Sequence, residues 1–368
     1  MKIYSKILVA CSILALVLSC GNAEDDVNFD LNNGGGSGNG GLGEGTTVDD
    51  CLGLGESDLV LSIQDQYTTK PGKVSVFFKV SDTEGNPVTG LTADDFTIYE
   101  QGRNDECFNT ISTSEAYARI SPNSQIFSNS TLLVLDLSNS VLSSSLDELK
   151  SASLSFVNSV MPVTDSESFK MAIYWFDGEN ELHVLNELTS VKDDLIASIE
   201  GITSDISNDP STDLYGAVIK STNIAEEIVK ANNSAEIIGA ASVVVFTDGT
   251  DQASRYTEDA ALKKVEDANA NISFFTIGLG AEIDTDVLEA IGKTYSVFAS
   301  NKEDLENTFN DISTKVSEQA NSFYLFEYCS PKRDGSGVNN LAIQVKTGSK
   351  QGAVQTKFDA TGFTGGCE

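Results

Sequence analysis

The stretch from Thr131 to Ser140, T-L-L-V-L-D-L-S-N-S, constrains what this chain can fold into more than any other. Leu132 to Leu135 is a continuous apolar run without polar alternation, the pattern of a strand buried on both faces of a parallel sheet. It runs directly into Asp136, Ser138 and Ser140, short side chains that each end in oxygen. Open α/β sheets bind ligands in the crevice beyond the carboxyl ends of their strands. Hard-oxygen donors gathered at such an edge point to a cation site. Two later segments match in kind. Asp248 follows the buried run Ala241 to Phe246 in V-V-V-F-T-D-G, and Thr212 opens a helix in S-T-D-L-Y-G-A.

Around these segments strands and helices alternate, as they do in a doubly wound, mostly parallel sheet. Leu142, Leu146, Leu149, Phe156, Val157 and Val160 share one helical face, and Leu305, Phe309, Ile312 and Val316 share another. Phe169 to Phe176, Leu182 to Leu185 and Asn271 to Ile277 read as strands. The α/β region is predicted over residues 125–320.

On either side the pattern changes to period two. Val74, Val76, Phe78 and Val80 alternate on one face, Gly85-Asn86-Pro87 makes a turn, and Phe96 to Tyr99 resumes. Residues 51–124 hold too few strands for a closed sandwich. Phe323 to Tyr328, Leu341 to Lys346 and Ala353 to Phe358 in 321–368 would supply the rest, so the α/β domain is expected to be inserted into a β-sandwich split in sequence. Cys51, Cys107, Cys329 and Cys367 all fall in these flanking parts, outside any metal-ligand spacing. An even set in an exported chain favours disulfides, and any of three pairings is open.

Export is expected from the first residues. Lys2 and Lys6 precede an apolar core, Ile7 to Leu18, and then Ser19-Cys20. Residues 1–19 resemble a bacterial lipoprotein signal that would leave Cys20 as the lipidated first residue; a cleaved secretory signal or an uncleaved anchor is the other reading. Residues 20–50 are Gly-rich and poor in apolar groups, a tether reaching roughly 30 Å by random-coil scaling. Glu24, Asp25 and Asp26, just after the cysteine, resemble the acidic export signals of surface lipoproteins in some Gram-negative bacteria. The expected location is the bacterial cell envelope, at the outer membrane and exposed on the surface. A net charge of −32 with scattered Lys and Arg argues against nucleic acid and anionic lipid head groups as partners, and for cation capture.

Asp136-Leu137-Ser138-Asn139-Ser140, Thr212 in S-T-D-L-Y-G-A, Asp248 in F-T-D-G-T-D and the run F-F-T-I-G-L-G together resemble the von Willebrand factor type A domain. The segment from Lys73 to Glu100 resembles the immunoglobulin-like sandwich that precedes that domain in many bacterial proteins. The resemblance implies a metal-ion-dependent adhesion site with Asp136, Ser138, Ser140, Thr212 and Asp248 as ligands. Independently, two carboxylates and three hydroxyls suit Mg²⁺, with Mn²⁺ or Ca²⁺ as alternatives, and disfavour Zn²⁺ or Cu²⁺. Because most of these donors are neutral, the ion stays electrophilic, and an acidic group from a protein partner can replace one of its waters.

A catalytic reading lacks its parts. The single histidine, His183, reads as surface or packing, Trp175 in the strand A-I-Y-W-F reads as core, and no phosphate loop, H-E-x-x-H or cysteine–base pair is present. The expected function is therefore non-enzymatic: a surface lipoprotein that binds a protein ligand through its metal, or alternatively an envelope scaffold whose α/β domain docks an assembly partner while the metal only orders the loops. Specificity would lie in Asp177 to Glu181, Ser204 to Pro210 and Thr250 to Tyr256.

Overall fold

The computed structural model describes residues 48–122, 127–234, 237–333 and 337–367. The signal, Cys20 and all but the end of the tether lie outside the described residues. Among the described residues no helix is long and apolar enough to cross a membrane.

The chain begins with β1 (Leu59–Thr69), β2 (Lys73–Asp82), β3 (Phe96–Gln101), β4 (Asn109–Ile111) and β5 (Arg119–Pro122). The α/β part follows as β6 (Phe127–Asp136), α1 (Asn139–Ser144), α2 (Leu146–Val160), β7 (Phe169–Phe176), β8 (His183–Thr189), α3 (Lys192–Glu200) and α4 (Leu214–Ser234). It is completed by β9 (Ile238–Thr247), α5 (Glu258–Glu266), β10 (Ile272–Leu279), α6 (Thr285–Ile291), β11 (Tyr295–Ala299) and α7 (Leu305–Ala320). The chain then returns through β12 (Phe323–Cys329), β13 (Val338–Thr347) and β14 (Lys350–Asp359).

The six-stranded sheet has the order β11-β10-β9-β6-β7-β8. All its pairings are parallel except that of β8 with β7, so the sheet is mostly parallel. Every residue of β6 is buried, which is why its sequence carries no alternation. Residues Leu133, Leu135 and Ile173 face a core built with α2, α3 and α7, while Leu132, Val134 and Ala172 face one built with α4, α5 and α6. Helices thus cover both faces.

The sandwich is split in sequence. One sheet runs β1-β2-β12-β5 and the other β14-β13-β3-β4, so each combines strands from before and after the inserted domain. Val74, Val76, Phe78 and Val80 do share its core, with Tyr324, Phe326 and Tyr328 from β12. Their alternation says nothing of the opposite face, which the structure shows to be partly buried as well. Phe77, Phe323 and Leu325 point the other way and are buried against Phe127 and Ala240 of the α/β domain. Farther along β12, Glu327 is 5 % exposed and held by Lys73 at 2.9 Å and by the Arg119 guanidinium, Nε at 2.6 Å. Burial opposes its ionisation, but these cations hold the carboxyl below its ordinary range.

Disulfides join Cys51 to Cys107 and Cys329 to Cys367, which selects one of the three pairings left open by the sequence. Where β14 approaches β1, Gly352 is required for space, because a Cβ there would overlap the Leu59 carbonyl. Gly352→Ala should cost about 1–3 kcal/mol, the usual penalty of overpacking. Thermal unfolding reads this directly, and an unchanged midpoint would show that the two strands can separate without loss.

Candidate metal centre

β6 and β9 lie side by side in parallel register, with Leu135 opposite Phe246. Their carboxyl ends therefore deliver Asp136 and Asp248 to one place. Asp136 is fully buried. Its Oδ1 accepts the Ser138 N–H at 2.9 Å and its Oδ2 accepts the Thr247 hydroxyl at 2.7 Å. The Ser138 and Ser140 hydroxyls lie 3.1 Å apart, and Ser140 donates to Asp248 Oδ1 at 3.0 Å. Ser138 is buried and Ser140 exposed, so the oxygens run from the sheet edge to solvent.

Thr212 is buried at the same edge but joined differently. Its carbonyl accepts the Gln252 and Ala253 N–H groups at 2.9 and 3.1 Å, in the loop that follows Asp248. Among the described residues no hydrogen bond links its hydroxyl to the other four side chains. The neighbouring Asp213 builds the local frame. It is 1 % exposed, accepts the Gly216 N–H at 3.2 Å at the start of α4, and pairs with Lys220 at 3.0 Å. The glycine of S-T-D-L-Y-G-A has a steric reason, since a Cβ at Gly216 would collide with the Asp213 carboxylate.

The three loops named from sequence all reach this edge. The Asn139 N–H donates to the Asp209 carbonyl at 3.0 Å, the Asp213 N–H to the Asp177 carbonyl at 2.8 Å, and Arg255 Nη2 to the Gly178 carbonyl at 2.7 Å. Sequence reasoning missed Thr247 and Asp213. Both stand next to residues it did single out: Thr247 is a polar side chain at the end of the apolar run Ala241 to Phe246, and Asp213 is a carboxylate one residue before the helix that starts at Leu214.

Electrostatically the edge waits for positive charge. Burial pushes the Asp136 carboxyl up from 3.8 to about 6, with nearby Asp248 adding to the rise and the Thr247 and Ser138 hydrogen bonds opposing it. Burial, and to a lesser degree Glu282, also raises Asp248. Adjacent ligands of an octahedral ion bound at about 2.1 Å are about 3.0 Å apart. The Ser138–Ser140 and Ser140–Asp248 hydrogen bonds of 3.1 and 3.0 Å hold these oxygens at that same spacing, so the donor set is compatible with a small hard cation.

The sequence pattern of the von Willebrand factor type A domain matches residues 132–315. The chain belongs to that family. The A domain is similar in fold to conserved hypothetical protein BatB from Bacteroides thetaiotaomicron, at 18 % identity and TM-score 0.40, over 52 % of this chain and 98 % of that one. A von Willebrand factor type A protein from Catenulispora acidiphila is similar at 9 % identity and TM-score 0.43, over 83 % and 74 % of the two chains. Proximal thread matrix protein 1 of the mussel byssus, with a zinc-occupied MIDAS motif, is similar at 14 % identity and TM-score 0.43, over 52 % and 48 %. No curated protein matches the chain.

Proposed function

We propose that this chain is a non-enzymatic lipoprotein of the bacterial cell envelope whose A domain binds a protein ligand through a divalent ion, Mg²⁺ first, with Mn²⁺ or Ca²⁺ as alternatives. The observation that carries this reading is the hydrogen-bonded string of oxygen donors from buried Asp136 through Ser138 and Ser140 to Asp248, gathered at the carboxyl ends of β6 and β9. Thr212, 2 % exposed at the same edge, would complete the set. When bound, the ion supplies a Lewis-acidic position for an acidic group of the partner.

The chain's own residues do the rest. Asp136 would be the buried carboxylate ligand, its orientation held by the Thr247 hydroxyl and the Ser138 N–H. Serine at 138 and 140 would supply neutral hydroxyl ligands, which would leave a bound cation its positive charge and would not repel an acidic group. Exposed Ser140 marks the open side. The surrounding loops would supply specificity. The N-terminal sequence supports lipid attachment at Cys20 and a place on the outer membrane, with the folded part held away from the lipid by the Gly-rich tether.

Bacteria displaying the full chain should adhere to immobilised extracellular proteins in Mg²⁺, release in EDTA, and fail to adhere with Asp248→Ala. Protease shaving of intact cells should remove the A domain. Adhesion indifferent to both EDTA and Asp248→Ala would overturn the metal-dependent reading, and protection from shaving would overturn the surface location.

A further inference from the structure

We propose that Asp177, Glu179 and His183 form a second cation site, chemically distinct from the hard-oxygen set and suited to a late first-row divalent ion such as Zn²⁺. The three residues span the connection from β7 to β8. That pair is antiparallel, and its register sets Trp175 opposite His183. The imidazole lies flat on the indole, with centroids 3.9 Å apart and planes 13° from parallel. Stacking fixes the plane of the ring, and Nε2 lies on the side of Glu179.

There the Nε2 atom is buried, in a side chain that is 21 % exposed, and among the described residues it has no hydrogen-bond partner. A buried imidazole nitrogen left this way is costly unless something else meets it. Glu179 Oε2 is 3.9 Å away, too far for a hydrogen bond. One ligand atom from each of Asp177, Glu179 and His183 lies within 4.8 Å of the other two. Donors about 2.0–2.1 Å from a zinc ion can stand at most about 4.2 Å apart. A small inward turn of Glu179, whose side chain is 63 % exposed and free to move, closes the set.

Asp177 is already oriented for the task. It is 3 % exposed, and its carboxylate accepts the Glu179 N–H at 2.8 Å and the Ser207 hydroxyl at 2.5 Å. A carboxylate has about four acceptor positions, so both oxygens keep capacity for an ion. Hydrogen bonds of this kind orient metal ligands and are part of working sites. One imidazole with two carboxylates suits Zn²⁺, Ni²⁺ or Cu²⁺, whereas Mg²⁺ favours oxygen alone. Because the Asp177 carbonyl accepts the Asp213 N–H at 2.8 Å, an ion here would brace the loop beside Thr212.

The test uses Zn²⁺ and Ni²⁺ on the full chain in excess Mg²⁺, which competes at the hard-oxygen set. His183 and Trp175 are the only histidine and tryptophan, so both signals are assigned at once. Zn²⁺ should bind one to one and shift the imidazole resonances, and Ni²⁺ should quench the indole fluorescence. His183→Asn should lower Zn²⁺ affinity by more than the roughly 10–100-fold that follows loss of an outer supporting contact. Glu179→Gln, at an exposed position, should weaken it with the fold intact, and Asp248→Asn should leave it unchanged. Imidazole resonances unmoved at saturating Zn²⁺, equal affinity in wild type and Glu179→Gln, or loss of binding in Asp248→Asn would each overturn the proposal.

Discussion

Saturating Mg²⁺ is expected to raise the unfolding temperature of the metal-free chain, and Asp136→Asn is expected to remove that rise. A ligand that binds only the folded state stabilises it by about 2.7 kcal/mol at a hundredfold excess over its dissociation constant, roughly 5–10 °C for a domain of this size. Asparagine is the informative replacement because it fits without leaving a group unpaired. Its carbonyl can keep the Ser138 N–H, while its amide donates to Thr247 Oγ1, whose own hydrogen can turn to the Gly249 carbonyl at 3.3 Å. A missing metal response in this variant would thus report the lost carboxylate and not a damaged edge.

The same pair of proteins gives a pH dependence with a definite sign. In metal-free protein the folded-state value for Asp136 is raised from 3.8 to about 6. Between those values the folded state holds a proton that the unfolded chain has lost, so folding stability falls as pH rises. The contribution is complete below pH 3.8 and gone once pH passes about 6. At about 1.4 kcal/mol for each tenfold change, the difference amounts to about 3 kcal/mol. Many other acids titrate in this acidic chain, but they are common to both proteins. In EDTA, wild type minus Asp136→Asn should therefore slope downward between pH 4 and 6, and Mg²⁺ should abolish the slope by replacing the proton. A flat difference would show that water reaches this carboxylate.

How much of this was legible beforehand depended on whether a contact follows from sequence order. The burial of β6 was legible because four consecutive apolar residues cannot face water. Asp136, Ser138, Ser140 and Asp248 were legible because strand ends in a parallel sheet converge at one edge, and the structure does bring them together. His183 was not. Its meaning depends on β8 running antiparallel to β7, which sets it on Trp175 and beside Asp177, and a short apolar run carries no direction. The second faces of β2 and β12 were hidden for a related reason. Alternation records one buried face and is silent about an aromatic on the other, which needs a partner from a distant part of the chain.

Those hidden faces carry the other large effect. Phe323→Ala should destabilise the folded chain by about 3–5 kcal/mol, the usual cost of removing a buried phenylalanine. Phe323 is 2 % exposed, 5.0 Å from the Phe127 ring centroid and 5.9 Å from that of Phe77. Those two rings are themselves 5.7 Å apart, so one truncation breaks two of three aromatic contacts in a triangle. Phe77 belongs to the sandwich strand β2, Phe127 begins β6, and Phe323 follows α7, so this triangle clamps the inserted A domain where the chain both enters and leaves it. The metal edge is at the other end of β6. Ten residues at about 3.3 Å each separate the two ends by roughly 30 Å. Effects that far apart should add, so Phe323→Ala should lower the unfolding midpoint and leave the Mg²⁺-induced rise intact. Loss of the metal response together with the midpoint would instead show that the clamp and the metal edge are coupled along β6. An unchanged midpoint would mean that Phe323 adds nothing to the hold between the sandwich and the A domain.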